Sequence, residues 1–483
     1  MNNNQLLDYI HNRRCALLGL GVSNLPLARL LCEAGIALTV HDKKSVAELG
    51  EDARALEARG VRFVTGADAF DAIDAELIFR SPGIRPDLEG IARAVAGGAT
   101  LTGEIELFLQ LADVPTFAVT GSDGKTTSTT LTGKILAAEH DRLGIGKVAV
   151  GGNIGAPLLD RLDTLSENDV AVMELSSFQL MTLSCAPRFV AITNVTPNHL
   201  DWHTGMDEYV AAKRHIVGEQ TERLVTNFES PITRALADEL MQTRKNDSPA
   251  LYLFSSKATS HAEIFPNGSG KNDRAIFERD GVIWLSDGVQ EEALLAVEKI
   301  RVPGRHNVEN YMTAIGLTYG IVAPQIYTEV AESFRGVEHR LEWVRRLNCV
   351  DYYNSSIDSS PTRTAAALSA LNGRDIVAIC GGYDKKIPFA PLADALCAAV
   401  RAVVLTGATA EKIATALDEC DAKVKPTVVR ADSFEDAVLA ARSLAREGGC
   451  VLLSPACASF DAFKNFAERG ERFREIVNSL GEE

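Results

Sequence analysis

Short apolar runs alternate with amphipathic segments along most of the 483-residue chain. In the first hundred residues, the runs CALLGLG, IALTVHD and AELIFR predict strands, whereas LPLARLLCEAG has apolar residues at helical spacing and ends at Gly35. Strands and helices that alternate in this way predict a parallel sheet with helices on both faces. We therefore expect a Rossmann-like N-terminal domain over residues 1–102.

Two further α/β blocks follow the first. The block expected over residues 103–337 contains the strand-like runs FAVTG, KVAVGG, VAVMELSS and FVAITNV, and the block over residues 338–483 contains DIVAICGG, AVVLTG, KPTVVR and CVLLSPA. Residues 243–288 are rich in turn residues with short alternating strands, which predicts a small antiparallel insertion. The predicted fold class is α/β with three domains, the third again Rossmann-like.

Composition and charge narrow the classes of partner. The net charge of −16 argues against broad binding of nucleic acid or anionic membranes, which requires a basic surface. The N-terminal stretch MNNNQLLDYIHNRR lacks the apolar segment of a signal peptide, and no apolar run is long enough to span a bilayer. The nine cysteines have no metal-ligand spacing and mostly lie in apolar runs, so we expect buried thiols in a cytoplasmic protein.

The sharpest local motif is FAVTGSDGKTTSTT at residues 117–130. A strand runs into a glycine-rich turn, and a helix is expected to begin at the hydroxyl residues, so backbone N–H groups would surround a phosphate. Lys125 would reach the β- and γ-phosphates, and Thr126 or Thr127 would offer a hydroxyl to Mg²⁺. Because Val119 stands where the common motif has its first glycine, this is a shorter variant, and an ordinary glycine turn is the alternative. The central block is therefore expected to be a P-loop ATPase-type parallel sheet.

Two weaker signals accompany this motif. Glu174 ends the apolar run DVAVME, where a carboxylate could meet Mg²⁺ beside the phosphates, although a solvated loop acid is the plain alternative. GLGVSN matches the first two glycines of a dinucleotide fingerprint but has Asn24 in place of the third, and Asp42 closes the next strand. We interpret this turn as a site for another nucleotide, with Ser23 facing its phosphates, or as a turn without a ligand.

A dozen collinear motifs make the chain similar to one family. They are GLGVSN, SPGI, GEIELF, TGSDGKTT, GGNIG, ELSSFQL, NVTPNHLDWH, YVAAKRHI, VPGRHNVEN, GVEHRLE, GGYDKKIPF and LSPACASFDAFKNFAERG. Together they resemble the Mur ligases of peptidoglycan synthesis, and the last motif with GGYDKK is typical of the glutamate-adding type. The resemblance implies ATP-dependent addition of D-glutamate to UDP-N-acetylmuramoyl-L-alanine through an acyl phosphate, by a monomeric cytoplasmic enzyme with no nucleic-acid or membrane partner.

The resemblance also implies roles for individual residues. For the UDP-linked substrate they are Val22, Ser23, Asp42, Lys43, Lys44, Ser81, Gly83 and Asn153. For ATP they are Gly121, Ser122, Asp123, Gly124, Lys125, Thr126, Thr127, Asn307 and Arg340. For two Mg²⁺ ions they are Thr126, Glu174, His199 and Lys213.

Lys213 matches the lysine that members of this family carbamylate with CO₂. A lysine beside Mg²⁺ would repel the ion, whereas a carbamate reverses the charge and supplies oxygen ligands. Lys385, Ser459 and Phe466 match the pocket of the incoming amino acid, where a lysine can pair with a carboxylate. Lysine and serine would serve L-glutamate equally well, so only the resemblance favours the D isomer.

The sequence departs from the family pattern at two positions. Ser355 stands where many relatives have an acid that contacts the nucleotide, while an acid occurs nearby at Asp358. Asn198 precedes His199 where some members have aspartate. Asp358 either replaces the missing acid or does not, and the sequence leaves both alternatives open for the adenosine contacts of the third domain.

Three other functions fit part of the sequence. A folylpolyglutamate synthase shares the ATPase core, but the GLGVSN domain ahead of it disfavours that function. A nicotinamide-dependent oxidoreductase would use Gly19 and Gly21 and would leave the phosphate motif unexplained. A nucleotide-gated interaction protein would bind ATP but release phosphate independently of any amino acid.

Overall fold

The computed structural model describes residues 3–21, 23–200, 202–385 and 387–481. The chain divides into two compact units, one of residues 1–299 with 308–330 and the other of residues 300–307 with 331–483. Within the described ranges, none of the helices is both long enough and apolar enough to cross a bilayer.

The first sheet of unit 1 has five parallel strands in the order β3-β2-β1-β4-β5. Its strands are β1 (Cys15–Leu18), β2 (Leu38–Asp42), β3 (Arg62–Thr65), β4 (Leu77–Arg80) and β5 (Thr100–Thr102). Its helices are α1 (Asn3–Ile10), α2 (Asn24–Glu33), α3 (Val46–Leu49), α4 (Glu51–Ala58) and α5 (Glu89–Ala96). The strand order reverses between β1 and β4, and ligands of open α/β sheets bind at such a switch point.

The second sheet of unit 1 has nine strands in the order β14-β13-β12-β11-β10-β9-β6-β8-β7. They are β6 (Thr116–Thr120), β7 (Val148–Gly152), β8 (Val170–Glu174), β9 (Phe189–Ile192), β10 (Arg223–Asn227), β11 (Ala250–Ser255), β12 (Arg274–Arg279), β13 (Val282–Ser286) and β14 (Glu291–Ala296). Strands β6 to β12 all run parallel to one another, so their carboxyl ends share one edge.

In the described part of the chain, eight α-helices and two 3₁₀ segments accompany this sheet. The helices are α6 (Glu104–Leu111), α7 (Lys125–Leu143), α8 (Ser177–Leu180), α9 (Met206–Arg214), α10 (Pro231–Thr243), α11 (His261–Ile264), α12 (His306–Thr318) and α13 (Gln325–Ser333). The 3₁₀ segments are Leu159–Thr164 and Val297–Lys299. One apolar core includes Leu17 and Phe79 of the first sheet and Ala118 and Met173 of the second, so the two sheets share a buried interior.

The antiparallel strands expected within residues 243–288 are present, but they do not form a separate insertion. β11 is buried and pairs in parallel with β10, and β12 pairs in parallel with β11 before the hairpin to β13 and β14. The pairing therefore extends the central sheet at one edge and continues to Ala296. A short apolar strand such as ALYLFS is typical of a parallel sheet covered on both faces.

Unit 2 contains a six-stranded sheet in the order β15-β16-β20-β17-β18-β19. Its strands are β15 (Glu342–Leu347), β16 (Val350–Asn354), β17 (Ile376–Cys380), β18 (Val400–Leu405), β19 (Thr427–Arg430) and β20 (Cys450–Leu453), and only the β15–β16 pair is antiparallel. Helices α14 (Pro361–Ala370), α15 (Ala390–Ala399), α16 (Ala410–Glu419), α17 (Phe434–Leu444) and α18 (Phe466–Ser479) complete it.

The predicted α/β class with parallel sheets is confirmed. The three sheets span residues 15–102, 116–296 and 342–453, while the predicted domain boundaries at 102/103 and 337/338 stay predictions. The expectation of buried thiols is wrong for Cys349, which is exposed, and right for Cys15, Cys380, Cys450 and Cys457.

Candidate functional site

The phosphate motif forms a loop between β6 and α7. β6 ends at Thr120 and α7 begins at Lys125, so residues 121–124 connect strand to helix as the sequence predicts. Gly121 and Gly124 have φ angles of 148° and 78°, which side-chain-bearing residues rarely adopt. A Cβ at either glycine would collide with the side chain of Thr193 or Asn310. The loop is therefore a close-fitting turn at a helix N-terminus, suited to an anion.

Side chains from the neighbouring strand ends hold this loop in place. Ser122 is buried and donates through Oγ to the carbonyl oxygen of Thr196 at 2.9 Å, and its Oγ lies 2.9 Å from the hydroxyl of Tyr209. The backbone N–H of Asp123 donates to Oδ1 of Asn194 at 2.9 Å. The loop is thus fixed before any ligand binds, which reduces the free-energy cost of binding.

Two lysines converge on the same backbone carbonyl. Nζ of Lys125 donates to the carbonyl oxygens of Gly121 at 3.0 Å and Ser122 at 2.9 Å. Nζ of Lys213 donates to the same Gly121 oxygen at 2.7 Å and lies 3.3 Å from Oγ1 of Thr120. Burial, with the nearby positive charge of Lys125, lowers the pKa of Lys213 to about 7. The amine of Lys213 is therefore easily deprotonated, as addition to CO₂ requires.

Glu174 is the last residue of β8, opposite Val119 of β6. Its side chain is buried, Oε1 accepts a hydrogen bond from Nδ2 of Asn153 at 2.7 Å, and Oε2 has no partner among the described residues. A buried carboxylate oxygen without a donor is costly unless a cation or water satisfies it. Glu174 therefore fits a divalent cation at the phosphate loop.

His199 lies in the turn that follows β9. It has a positive φ of 54°, its N–H bonds to Oδ1 of Asn198 at 2.9 Å, and its ring contacts Phe178 edge-on at 5.0 Å. In the part of the chain that the structure describes, no three His, Cys, Asp or Glu side chains form a ready-made metal cage. Mg²⁺ usually takes only one or two carboxylates and fills its shell with phosphate and water, so these residues suit it. Thr126 and Thr127 lie half-buried in the first turn of α7.

The first turn of the chain lies at the switch point of the first sheet. Asn24 is fully buried and donates to the carbonyl oxygen of Gly19 at 2.9 Å and to Oγ of Ser81 at 3.1 Å. Asp42 accepts from the N–H groups of Leu20 at 2.9 Å and Lys44 at 2.9 Å. Asn24 therefore replaces the third glycine with a side chain that ties the turn to the loop after β4.

Other residues expected to bind the UDP-linked substrate lie around this turn, whereas Asn153 lies beside Glu174 at the second sheet. Ser23 is half-buried at the start of α2, with no side-chain hydrogen bond to the helix, while Lys43 and Lys44 are exposed. Gly83 is exposed, and its carbonyl oxygen accepts from Nε1 of Trp202 at 3.1 Å. Val22 lies outside the described residues. The structure thus gathers Ser23, Asp42 and Ser81 at one edge.

The residues expected to hold the amino acid lie at the carboxyl edge of the sheet in unit 2. Tyr383 donates its N–H to the carbonyl oxygen of Ala458 at 2.9 Å, which joins the loop carrying Lys385 to the loop carrying Ser459. Lys385 is exposed, and its Nζ lies 3.2 Å from Oγ of Ser359. Ser459 is buried, whereas Phe466 is 40% exposed at the start of α18. Phe466 is therefore available to a ligand, unlike a core aromatic.

Unit 2 also contains residues expected to contact the nucleotide. The side chain of Asn307 is buried and donates to the carbonyl oxygen of Pro303 at 2.6 Å. Asp358 is buried and accepts from Oγ of Ser454 at 2.8 Å, and burial raises the pKa of its carboxyl, while the nearby positive charge of Arg340 opposes this. Oγ of Ser355 accepts from the N–H of Leu341 at 3.1 Å. Ser355 and Asp358 are thus both buried and hydrogen-bonded within the loop that follows β16.

Sequence reasoning missed the residues that support the phosphate loop. Asn194 opens the motif NVTPNHLDWH, Thr193 directly precedes it, and Asn310 closes VPGRHNVEN, so the motifs pointed to this region without revealing these roles. Arg80 was also missed. It is buried, and Nη2 donates to the carbonyl oxygen of Phe178 at 2.8 Å, which ties the first sheet to α8.

Comparisons with known proteins agree with this arrangement. Residues 119–318 match the family described as Mur ligase middle domain, and residues 339–457 match Mur ligase, glutamate ligase domain. The chain is 40% identical to the UDP-N-acetylmuramoylalanine–D-glutamate ligase of Ruminiclostridium cellulolyticum, covering 99% of this chain and 100% of that one. It is 41% identical to the enzyme of the same name from Symbiobacterium thermophilum, over 97% and 98% of the two chains.

Solved structures show the same fold at low sequence identity. The UDP-N-acetylmuramate–alanine ligase of Thermotoga maritima matches with a TM-score of 0.52 and 20% identity, covering 97% of this chain and 100% of that one. A UDP-N-acetylmuramoyl-L-alanyl-D-glutamate–2,6-diaminopimelate ligase matches with a TM-score of 0.56 and 14% identity, over 92% and 93% of the two chains.

Proposed function

This chain belongs to the Mur ligase family, and we propose from that premise how its residues join D-glutamate to UDP-N-acetylmuramoyl-L-alanine at the expense of ATP. The reaction forms an amide, ADP and phosphate and contributes to peptidoglycan precursor synthesis. We place the enzyme in the cytoplasm and expect it to act as a monomer. The observation that carries the assignment of the ATP site is the meeting of Lys125, Lys213 and Glu174 at one glycine loop.

Activation of the alanyl carboxylate is the first chemical requirement. A carboxylate repels nucleophiles and has no good leaving group, so transfer of the γ-phosphoryl of ATP to one of its oxygens creates an acyl phosphate. The backbone N–H groups of residues 121–124 and the cation of Lys125 stabilise the charge that spreads over the transferring group. Mg²⁺ held by Glu174, His199 and the hydroxyl of Thr126 would neutralise further phosphate charge.

Lys213 serves this site best as a carbamate. Its amine donates to neutral oxygens and lies 4.6 Å from the centre of the Tyr209 ring. Burial together with the nearby cation of Lys125 disfavours the charged ammonium more than Glu174 and Asp123 favour it. Addition of the neutral amine to CO₂, with loss of one proton, gives an anion with two oxygens in the same place. That anion offsets the charge of Lys125 and supplies ligands for a second metal ion.

Amide formation then depends on the incoming amino acid. Lys385 pairs with a carboxylate of glutamate, Ser459 offers a hydroxyl, and the exposed ring of Phe466 covers the side chain. The amine attacks the acyl carbon, a tetrahedral intermediate forms, and the C–O bond to phosphate breaks. No side chain acts as a covalent nucleophile in this sequence of steps.

Product formation by the purified chain tests the assignment. With UDP-N-acetylmuramoyl-L-alanine, ATP and Mg²⁺, phosphate release should require D-glutamate, and L-glutamate or no amino acid should give none. Lys125→Ala and Glu174→Ala should abolish release, whereas Lys134→Ala and Glu167→Ala, at exposed positions nearby, should not. ATP consumption that is independent of the muramoyl nucleotide and yields no amide would refute the function.

A further inference from the structure

Arg85, in the loop after β4, makes contacts that the proposed chemistry does not explain. Its guanidinium forms hydrogen bonds of 2.8 and 3.2 Å to the two carboxylate oxygens of Glu208 at the start of α9. It also donates to the carbonyl oxygen of Trp202 at 2.7 Å and lies 5.0 Å above that indole ring. A bidentate, partly buried pair with a stacked aromatic ring is geometrically more specific than an exposed ion pair.

Trp202 connects this arginine to the turn that carries His199. Its indole N–H donates to the carbonyl oxygen of Gly83 at 3.1 Å, so the loop after β4 holds the ring at two points. The backbone N–H groups of Trp202 and His203 both donate to the carbonyl oxygen of His199, at 3.1 and 3.0 Å. Trp202 therefore links the loop after β4, through its indole, to the backbone of His199, through its own N–H group.

Glu208 connects the same arginine to the phosphate loop. It accepts a hydrogen bond from the backbone N–H of Thr204 at 2.9 Å, and its Oε2 lies 3.0 Å from Nδ1 of His203, whose side chain is fully buried. The next residue of α9, Tyr209, bonds to Oγ of Ser122. The bond from Arg85 lowers the pKa of Glu208 to about 2, so the carboxylate stays charged at neutral pH.

We propose that Arg85 is a positioning residue that fixes the His199 turn and the phosphate loop relative to the loop carrying Ser81 and Gly83. The inference rests on the proposed function, in which that loop holds the UDP-linked substrate and the other two segments hold Mg²⁺ and ATP. The arginine side chain bonds to Asp87, to the backbone of Trp202 and to Glu208, none of which we assign to the reacting groups. It aligns two substrate sites that lie on different sheets of the same unit.

Steady-state kinetics with Arg85→Ala test this role. We expect kcat to fall by about 10- to 100-fold, because small displacements of positioned groups cost rates of that order, while the KM for the UDP-linked substrate changes less than about threefold. Arg85→Lys should recover part of kcat, since it keeps the charge but not the bidentate geometry. Arg93→Ala, which breaks an exposed ion pair with Glu89 on α5, is the matched control and should leave both constants unchanged.

A second variant and a binding measurement distinguish failure of this proposal from failure of the proposed function. Glu208→Gln keeps the shape of the side chain and should reproduce the loss of kcat even if Arg85→Ala does not fold. Calorimetric titration with MgADP should show binding about tenfold weaker in both variants than in the unaltered chain, whether or not the chain ligates glutamate. A rise in KM alone would show that Arg85 binds substrate. Unchanged kcat and unchanged MgADP affinity would show that its contacts with Glu208 and Trp202 do not affect the site. Either result would overturn the proposal. MgADP binding without ligation by the unaltered chain would contradict the proposed function instead.

Discussion

The side-chain amide of Asn153 donates to Oε1 of Glu174 at 2.7 Å, while Oε2 of the same carboxylate has no partner among the described residues. The amide thereby fixes the direction in which the second oxygen points. Asn153, which is expected to bind the UDP-linked substrate, therefore orients Glu174, which is expected to bind the metal ion.

Replacing Asn153 should therefore weaken Mg²⁺ binding. In Asn153→Leu the carboxylate loses its donor and its fixed orientation, and we expect the Mg²⁺ concentration for half-maximal velocity to rise about 10- to 100-fold. Titration of the reaction with Mg²⁺ measures this directly. Asn168→Leu, at an exposed position before the same strand, should leave the Mg²⁺ requirement unchanged.

Activity should depend on dissolved CO₂ through Lys213. The neutral fraction of this amine rises with pH through about 7, so carbamate should form more readily at pH 8 than at pH 6. We expect lower activity in CO₂-depleted buffer, recovery on adding bicarbonate, and a carbamate signal in carbon-13 spectra with labelled bicarbonate. Lys213→Ala should lose the signal and Lys134→Ala should keep it. Full activity without CO₂ would exclude the carbamate.

Glu104 should make the protein less stable as the pH rises. This side chain is buried at the start of α6, and burial raises its pKa from 4.5 to about 7, although Oε1 accepts from the N–H of Leu159 at 2.9 Å. Between those pH values the folded chain binds more protons than the unfolded chain, so the free energy of unfolding falls with increasing pH. The penalty is complete above pH 7.

The variant Glu104→Gln should remove this dependence. We expect its free energy of unfolding, relative to the unaltered chain, to rise by ~1–3 kcal/mol between pH 5 and pH 8, because one pKa unit corresponds to about 1.4 kcal/mol. Urea unfolding at several pH values measures the difference. For Glu51→Gln, at an exposed position on α4, the free energy of unfolding should change with pH as it does in the unaltered chain. The same result for Glu104→Gln would show that Glu104 is not protonated in the folded chain at these pH values.

The cysteines should react in distinct phases with a thiol reagent. Cys349 is exposed, so it should react within the first phase in the native protein, and Cys349→Ser should abolish that phase. Cys15, Cys380, Cys450 and Cys457 are buried, and burial raises the pKa of each thiol, so they should react only after denaturation. Rapid modification of several thiols in the native chain would contradict this.

The local parts of the fold and the site could be predicted because their causes are local. Gly121 and Gly124 are required by the positive φ angles of the turn, Lys125 begins the helix after it, and Glu174 ends a strand recognisable from its apolar residues. The pairing of β11 could not be predicted, because its neighbour in the sheet is decided by tertiary packing and not by the strand itself.

The environments of individual side chains could not be predicted from the sequence either. The low pKa of Lys213 depends on burial and on Lys125, 88 positions away in the chain. The bond between Tyr209 and Ser122 likewise joins distant segments, and the two motifs that contain these residues do not reveal that they meet. Such contacts appear only when the strand order is known.

The position of β8 between β6 and β7 has a consequence for how this protein can be altered. Glu174 stands opposite Val119 and Gly152, and backbone hydrogen bonds keep adjacent strands about 4.8 Å apart. Its distance from the phosphate loop is therefore set by strand pairing and not by the length of the segment that joins β7 to β8. The exposed residues 166–168 of that segment should accept an inserted reporter domain, whereas deletion of a single residue inside β8 would turn the carboxylate to the opposite face of the sheet.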